Sequence, residues 1–167
     1  MDKIPVIIDC DTGIDDMISF VLTLASKQLD IRGVTTVAGN VSLPHTTYNT
    51  VNGLAFMGRS EVLVAAGEAA PLERPYRDAS EIHGDSGLGA FSFENPVDYG
   101  PVETGGVEFL YEKLMESEEK ITILALAPLT NIAKLFLKHP DCKEKIDKIV
   151  FMGGSIFSGN PTPVATF

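Results

Sequence analysis

Residues 9–16 read DCDTGIDD and contain four aspartates within eight positions: Asp9, Asp11, Asp15 and Asp16. The stretch follows the apolar run IPVII at residues 4–8 and precedes the apolar segment MISFVLTLA at residues 17–25. Like charges this close together repel one another, and burial beside apolar segments strengthens the repulsion. The fold must therefore offset the negative charge of this stretch.

The composition is that of an ordinary globular protein with an acidic balance. The chain has 167 residues, of which 44% are hydrophobic and 22% are charged, and its net charge is −10. We expect a single domain over residues 1–167. A chain this acidic does not attract polyanions, so we expect no nucleic acid partner. No apolar run approaches membrane-spanning length, so we expect no membrane partner either.

The N-terminus and the two cysteines predict a cytoplasmic protein. Charge returns at Asp9 before the apolar region of a signal peptide could develop. Cys10 and Cys142 form neither a disulfide framework nor a metal-binding spacing. A reducing, cytoplasmic location fits this cysteine content best.

Short apolar runs alternate with helical patterns along the chain. The runs are nearly continuous, as in strands that are covered on both faces. Five strands are predicted, at residues 5–8, 31–37, 62–65, 121–127 and 148–152. Four helices are predicted, at residues 16–26, 46–57, 107–116 and 129–138. The first of them has Ile18, Leu22 and Ala25 on one side. This order favours an α/β fold with a mostly parallel sheet.

Polar residues and glycines follow four of the five predicted strands. The first strand runs into DCDTGIDD, the second into VAGN, which ends at Asn40, the fourth into LAPLTN and the fifth into MGGS. In open parallel sheets the carboxyl ends of the strands form the edge where ligands bind. A ligand site at this edge is therefore favoured over a set of unrelated turns.

The aspartate cluster has the chemistry of a site for a hard divalent cation. Carboxylates are oxygen ligands that suit Ca²⁺ or Mg²⁺, and such an ion would remove the repulsion among them. Asp15 and Asp16 begin the first predicted helix, where the helix dipole favours negative charge. An EF-hand is excluded, because Ile14 and Phe20 stand where its loop needs Gly and Glu.

The stretch DCDTGIDD after an N-terminal strand resembles the signature of the inosine-uridine-preferring nucleoside hydrolases. Further segments match that family in the same order: TTVAGN at 35–40, HGDSGLG at 83–89, LAPLTNIA at 126–133, FMGG at 151–154 and GNPTPVATF at 159–167. The resemblance implies a Rossmann-like fold with helices on both faces of the sheet. It also implies calcium-assisted hydrolysis of the N-glycosidic bond of ribonucleosides, which gives free base and ribose.

The resemblance implies a role in catalysis or in binding Ca²⁺ for three residues. Asp11 would be the general base and would also touch the metal ion. Asp16 would be a second ligand, and the backbone carbonyl of Leu126 a third. Asp9 matches the motif as well, and we interpret it as support behind these ligands.

The resemblance also implies contacts with the ribonucleoside. Asp15 would bind the ribose hydroxyls, Asn40 the ribose and the region of the metal-bound water, and His83 would lie in a mobile loop near the base. Met152 would touch the sugar, and Asn160 would bind the 5′-hydroxyl.

Two features of the chain depart from the family. Thr166 stands where the family usually has a Glu that helps to hold the 5′-hydroxyl. Family members also run well beyond this length, so we expect an N-terminal half that exposes apolar surface. We therefore expect either a homo-oligomer or a missing C-terminal half as its partner, and weak or no activity in isolation.

Other functions remain open at this point. A haloacid-dehalogenase-type phosphohydrolase also has D-x-D after a strand, but Gly13 stands where its motif wants Thr or Val. A calcium-binding or nucleoside-binding module without turnover is a second alternative. A purely structural fragment is a third.

Overall fold

The computed structural model describes residues 3–154 and residue 157. Its centre is one sheet of five parallel strands in the order β3-β2-β1-β4-β5. The strands are β1 (Ile4–Cys10), β2 (Leu29–Thr36), β3 (Val64–Ala66), β4 (Ile121–Ala125) and β5 (Ile146–Phe151). The predicted parallel α/β architecture is confirmed, and the strand that leads into DCDTGIDD lies in the middle of the sheet.

Helices connect the strands and cover both faces of the sheet. They are α1 (Ile14–Ala25), α2 (Leu43–Phe56), α3 (Ser80–His83), α4 (Gly106–Glu116) and α5 (Thr130–Lys138), and a 3₁₀ helix (Pro140–Lys145) precedes β5. Val6 and Ile8 of β1 pack with Phe20 of α1 and Leu54 of α2. Ile7, which points to the opposite face, packs with Leu110 of α4 and with neighbouring apolar residues. The strand thus buries both of its faces, as its continuous apolar sequence predicts.

The four predicted helices are present, but the apolar side expected for α1 is not the side that packs. Ile18 is 59% exposed and Leu22 is 68% exposed, whereas Phe20 is fully buried. Asp16 is buried on the same side of the helix as Phe20. The first turn of α1 brings Asp16 against the end of β1, where Gly13 donates to it. This contact, and not the spacing of Ile18 and Leu22, decides which side of the helix is buried.

The parallel order places every strand's carboxyl end at one edge. β1 ends at Cys10, β2 at Thr36 and β4 at Ala125, and the polar segments predicted to follow them lie side by side at this edge. Among the described residues, no helix is long and apolar enough to cross a membrane.

We expect the two faces of α1 to differ sharply in their contribution to stability. Phe20→Ala should lower the free energy of unfolding by about 3–5 kcal/mol, because it empties a buried site. Leu22→Ala, on the same helix, should change it by less than about 0.5 kcal/mol, because that side chain is exposed. Urea unfolding measures both values.

If Phe20→Ala does not fold, Phe20→Leu provides the comparison, with an expected loss of about 1 kcal/mol. Equal losses from the substitutions at positions 20 and 22 would show that the orientation of α1 is wrong.

Candidate active site

Three of the four aspartates in DCDTGIDD are buried at the carboxyl end of β1. Asp9 is 0% exposed, Asp11 1% and Asp16 3%, whereas Asp15 is exposed at the start of α1. The turn between β1 and α1 folds the carboxylate of Asp16 back onto the chain, where the N–H of Gly13 donates to its Oδ2 at 2.9 Å. The sequence motif therefore separates into a buried group of three carboxylates and one that faces solvent.

Asn40, after β2, holds two of these carboxylates together. Its backbone N–H donates to Oδ2 of Asp11 at 2.7 Å, and its side-chain amide donates to the backbone carbonyl of Asp11 at 3.2 Å. The same amide lies 3.5 Å from Oδ2 of Asp16. The adjacent Gly39 gives the carboxylate of Asp11 its room, because a Cβ there would collide with Oδ2. Asn40, Asp11 and Asp16 thus meet, as the resemblance implies.

Burial leaves these carboxylates without full compensation of their charge. Oδ1 of Asp11 and Oδ2 of Asp9 are buried, and neither has a hydrogen-bond partner among the described residues. Burial raises the pKa of Asp9 to about 6, although hydrogen bonds from Thr35 and Asn131 act in the opposite direction. It raises the pKa of Asp11 to about 7. It also raises that of Asp16 to about 8, with the charge of Asp11 as a further cause.

The donor chemistry at this edge fits a hard cation only in part. Asp11 and Asp16 offer carboxylate oxygens with uncompensated charge, as Ca²⁺ or Mg²⁺ requires. Leu126 follows β4 beside them, and its N–H donates to the backbone carbonyl of Asp9 at 2.8 Å. Within residues 3–154 and 157, however, no three His, Cys, Asp or Glu side chains lie close enough to hold a metal ion. Because Ca²⁺ takes six to eight oxygen ligands, these donors would form only part of its shell.

The short helix α3 brings His83 to the same edge. A Cβ on Gly13 would lie 2.6 Å from Nδ1 of His83 and 2.7 Å from the side-chain nitrogen of Asn40, so both side chains pack on this glycine. The N–H of Ala79 donates to the carbonyl of Asn40 at 2.9 Å and fixes the start of the helix. Nδ1 of His83 is buried and has no hydrogen-bond partner among the described residues. His83 therefore joins the site from a segment far from β1 in sequence.

The remaining predicted site residues lie at or beyond the end of β5. Met152 directly follows the strand, its N–H donates to the carbonyl of Ala125 at 2.9 Å, and its side chain is 37% exposed. Asn160 and Thr166 lie outside the described residues.

Two residues at this edge are not among the site residues that the sequence predicts. Asn131 is fully buried on α5 and donates to Oδ1 of Asp9 at 2.7 Å. Tyr76 has a buried hydroxyl with no partner among the described residues. Its pKa is raised to about 12 by burial and by the charges of Asp78 and Asp11. Asn131 ends the segment LAPLTN, which the sequence places at this edge, but only the fold shows its contact with Asp9 and the position of Tyr76.

A cavity of about 550 Å³ lies beside α4 and α5, and none of the described residues that line it is an aspartate of DCDTGIDD. It is lined by Glu68 and Lys134, which form an ion pair at 2.6 Å, and by the first residues of α4. Because the opposite charges already neutralise each other there, this cavity is not a second carboxylate site.

Comparison with known families and proteins gives one consistent result. The profile of the inosine-uridine preferring nucleoside hydrolase family matches residues 6–167. The pyrimidine-specific ribonucleoside hydrolase RihA of Escherichia coli O1:K1 is 40% identical over 98% of this chain and 52% of its own length. That of Citrobacter koseri is 42% identical over the same shares. The chain thus spans about half the length of the curated relatives it matches.

Solved structures give the same picture for the fold. A plant nucleoside hydrolase, PpNRh1, matches with a TM-score of 0.89 and 36% identity over 95% of this chain and 51% of its own. A purine-preferring ribonucleoside hydrolase from Gardnerella vaginalis matches with a TM-score of 0.90 and 27% identity over 95% and 52%. These matches leave the haloacid-dehalogenase-type alternative without support.

We expect the metal-free protein to lose stability as the pH rises. The pKa values of Asp9, Asp11 and Asp16 are about 6, 7 and 8 in the fold, above the ordinary value of 3.8. The folded chain therefore holds more protons than the unfolded chain between these values, so the free energy of unfolding falls as pH rises from about 4 to about 8. Urea unfolding in chelator should show a fall of more than about 1.4 kcal/mol, the equivalent of one pKa unit.

Asp16→Asn is the matched control, because it removes the carboxylate whose pKa is raised most. Its loss of stability over the same pH range should be smaller than that of the unaltered chain. A free energy of unfolding that rises steadily between pH 4 and pH 8 in both proteins would contradict the assigned burial.

Proposed function

Because the chain belongs to the inosine-uridine preferring nucleoside hydrolase family, we propose that it supplies the carboxylate site for hydrolysis of the N-glycosidic bond of ribonucleosides. The products would be the free base and ribose. The observation that carries this proposal is the cluster of buried carboxylates at the strand ends, held by Asn40 and bordered by His83.

Asp11 is the proposed general base. Asn40 holds one oxygen of its carboxylate at 2.7 Å, which fixes the orientation of the side chain, and Oδ1 has no partner among the described residues. Oδ1 takes a proton from the attacking water as the water oxygen bonds to the anomeric carbon. The N-glycosidic bond breaks, and the base leaves with its electron pair and gains a proton from solvent. In the metal-free chain burial raises the pKa of Asp11 to about 7. A bound cation would lower this pKa, so that Asp11 would be ionised and able to accept a proton at neutral pH.

Asp11, Asp16 and the carbonyl of Leu126 are the proposed ligands of one Ca²⁺ ion. When bound, the ion would lower the pKa of a coordinated water and so make it a better nucleophile. The raised pKa values of both carboxylates support this assignment, since an unpaired buried charge is costly and a cation removes the cost.

The proposed substrate contacts surround these ligands. Asp15 is exposed at the start of α1, where its carboxylate can accept hydrogen bonds from ribose hydroxyls. Asn40 lies between Asp11 and Asp16, so that it can contact the sugar beside the ion. His83 would contact the base, Met152 the sugar and Asn160 the 5′-hydroxyl.

Charge supports the choice of a neutral nucleoside as substrate. Cleavage of a ribosidic bond passes through a transition state with positive charge on the sugar, which nearby carboxylates stabilise. The net charge of −10 disfavours nucleotides, because their phosphate would be repelled, and disfavours nucleic acid. Two of the proteins that resemble this chain differ in the base preference that their names state. RihA of Escherichia coli is pyrimidine-specific, and the hydrolase of Gardnerella vaginalis is purine-preferring.

Two further proposals concern partners and location. Val150 and Phe151 of β5 are 47% and 57% exposed, which supports a second copy of the chain or a C-terminal half as a covering partner. Cys10 and Cys142 are free and buried, which supports a reducing, cytoplasmic setting.

We expect Asp11→Asn to abolish ribose release without unfolding the chain. The substitution keeps the shape of the side chain and removes the base. Any rate that the unaltered chain shows with inosine, uridine or cytidine, weak in isolation or higher with a covering partner, should therefore fall by at least about 100-fold. Release should require Ca²⁺ and should stop in chelator. A reducing-sugar assay on protein of confirmed intact mass measures these rates.

Asp98→Asn is the control, because it removes an exposed carboxylate that lies between α3 and α4, outside the site. It should keep the rate of the unaltered chain. Calcium binding with no ribose release from the unaltered chain would favour a binding module without turnover. Equal release by Asp11→Asn and the unaltered chain would exclude Asp11 as the base.

A further inference from the structure

One side-chain amide, that of Asn131, connects the ends of three neighbouring strands. Its nitrogen donates to Oδ1 of Asp9 on β1 at 2.7 Å and to the carbonyl of Thr36 on β2 at 3.0 Å. Its oxygen accepts from the N–H of Glu68, just beyond β3, at 2.9 Å. Because Asn131 stands on α5, which follows β4, four of the five strands are linked at the edge that carries the site.

The amide is fully used in these contacts. Asn131 is 0% exposed. Its side-chain nitrogen donates two hydrogen bonds and its side-chain oxygen accepts one, all with other described residues of the chain. Thr35 also donates to Oδ1 of Asp9, at 2.5 Å, so this oxygen has two donors from two elements. A helix-start asparagine that only shaped its own turn would bond to residues of that turn, whereas all three partners of Asn131 lie on other elements.

The connected groups lead directly to the proposed ligands. Asp9 precedes Asp11 by two residues on the same backbone, and its carbonyl accepts from the N–H of Leu126 at 2.8 Å. Thr36 begins the short segment that ends at Asn40, which binds Asp11 at 2.7 Å. A shift of β1 against β2 would therefore change the distance between Asp11 and Asn40.

We propose that Asn131 is a positioning residue of the site, which sets Asp11, Asn40 and Leu126 relative to one another by fixing the ends of β1, β2 and β3. This inference rests on the proposed function for its consequence, the binding of a cation. Its geometric part concerns the chain alone and is testable without any ligand.

The chain contains a matched comparison residue in Asn52 on α2. Asn52 is 4% exposed, donates to the carbonyl of Tyr48 at 2.9 Å and accepts from the N–H of Val97 at 2.9 Å. Its amide joins a helix to a distant loop, as that of Asn131 joins a helix to strand ends, but its partners are not site residues. Replacement of either asparagine by alanine removes a buried amide and is expected to destabilise the chain.

The first experiment is amide hydrogen exchange of the metal-free chain and of the variants Asn131→Ala and Asn52→Ala. In Asn131→Ala the amides of Asn40 and Leu126 should exchange at least about tenfold faster, while that of Val97 keeps its rate. In Asn52→Ala the amide of Val97 should exchange faster, and those of Asn40 and Leu126 should keep their rates. The amide of Glu68 loses its acceptor directly and is not diagnostic.

The second experiment is calorimetric titration of the same proteins with Ca²⁺. Asn131→Ala should raise the dissociation constant by at least about tenfold, and Asn52→Ala should leave it within twofold. A chain that binds no Ca²⁺ in its unaltered form would overturn the proposed function, and the exchange rates would still decide the positioning role.

Two exchange results would overturn the inference. One is an unchanged rate at Asn40 and Leu126 in Asn131→Ala. The other is an equal acceleration of these amides in Asn52→Ala, which would indicate a general loss of stability. If Asn131→Ala does not fold, Asn131→Ser replaces it, because its shorter hydroxyl keeps a polar group on α5 but cannot bridge Asp9, Thr36 and Glu68.

Discussion

Burial of three carboxylates at the end of the central strand is the constraint on which the rest of the structure depends. Each buried charge needs donors or a counter-ion, and an uncompensated one costs several kcal/mol, about 3–5 when a partner is missing. Asp9 obtains donors from Thr35 and Asn131, and Asp16 from the backbone of Gly13. Asp9 and Asp11 each keep one buried oxygen without a hydrogen-bond partner among the described residues. Asp11 shares Asn40 with Asp16, and it is where we propose that a cation, water and substrate would act.

The sheet order makes this burial feasible. With β1 in the middle, β2 and β4 lie on either side, and the segments that follow them bring Asn40 and Leu126 to Asp11 and Asp9. Successive side chains of β1 point to opposite faces of the sheet, so that Cys10 faces α1 and α2 whereas Asp9 faces α5. An edge position for this strand would leave one side of the carboxylates open to water.

The sequence predicts those parts of the fold that depend on local pattern. Short, mostly apolar runs mark all five strands, and polar residues after four of them mark the site edge, because both signals lie within a few neighbouring residues. The predicted orientation of α1 is wrong. The spacing of Ile18 and Leu22 favours burial of one side of the helix, whereas the burial of Asp16 requires another side to face the sheet. Asn131 could not be assigned as a partner of Asp9, because 122 residues separate them and nothing local couples the two.

The predicted site residues divide in the same way. DCDTGIDD identifies the carboxylates, but the separation of exposed Asp15 from buried Asp16 follows from the turn of the helix and not from the motif. The position of His83 depends on how the segment between β3 and α3 returns to the sheet, which the local sequence of that segment does not specify. The roles of these residues in turnover still rest on the family resemblance.

Gly13 and Gly39 have a consequence for how mutational maps of this chain should be interpreted. The place of a Cβ at Gly39 is occupied by the carboxylate of Asp11, and that at Gly13 by His83 and Asn40. Neither glycine has a functional group, yet any larger residue would displace one that does. In a saturation mutagenesis scan, substitutions at both glycines would be as damaging as substitutions at Asp11, Asn40 or His83. Intolerance to substitution alone would therefore assign too many residues to the reaction.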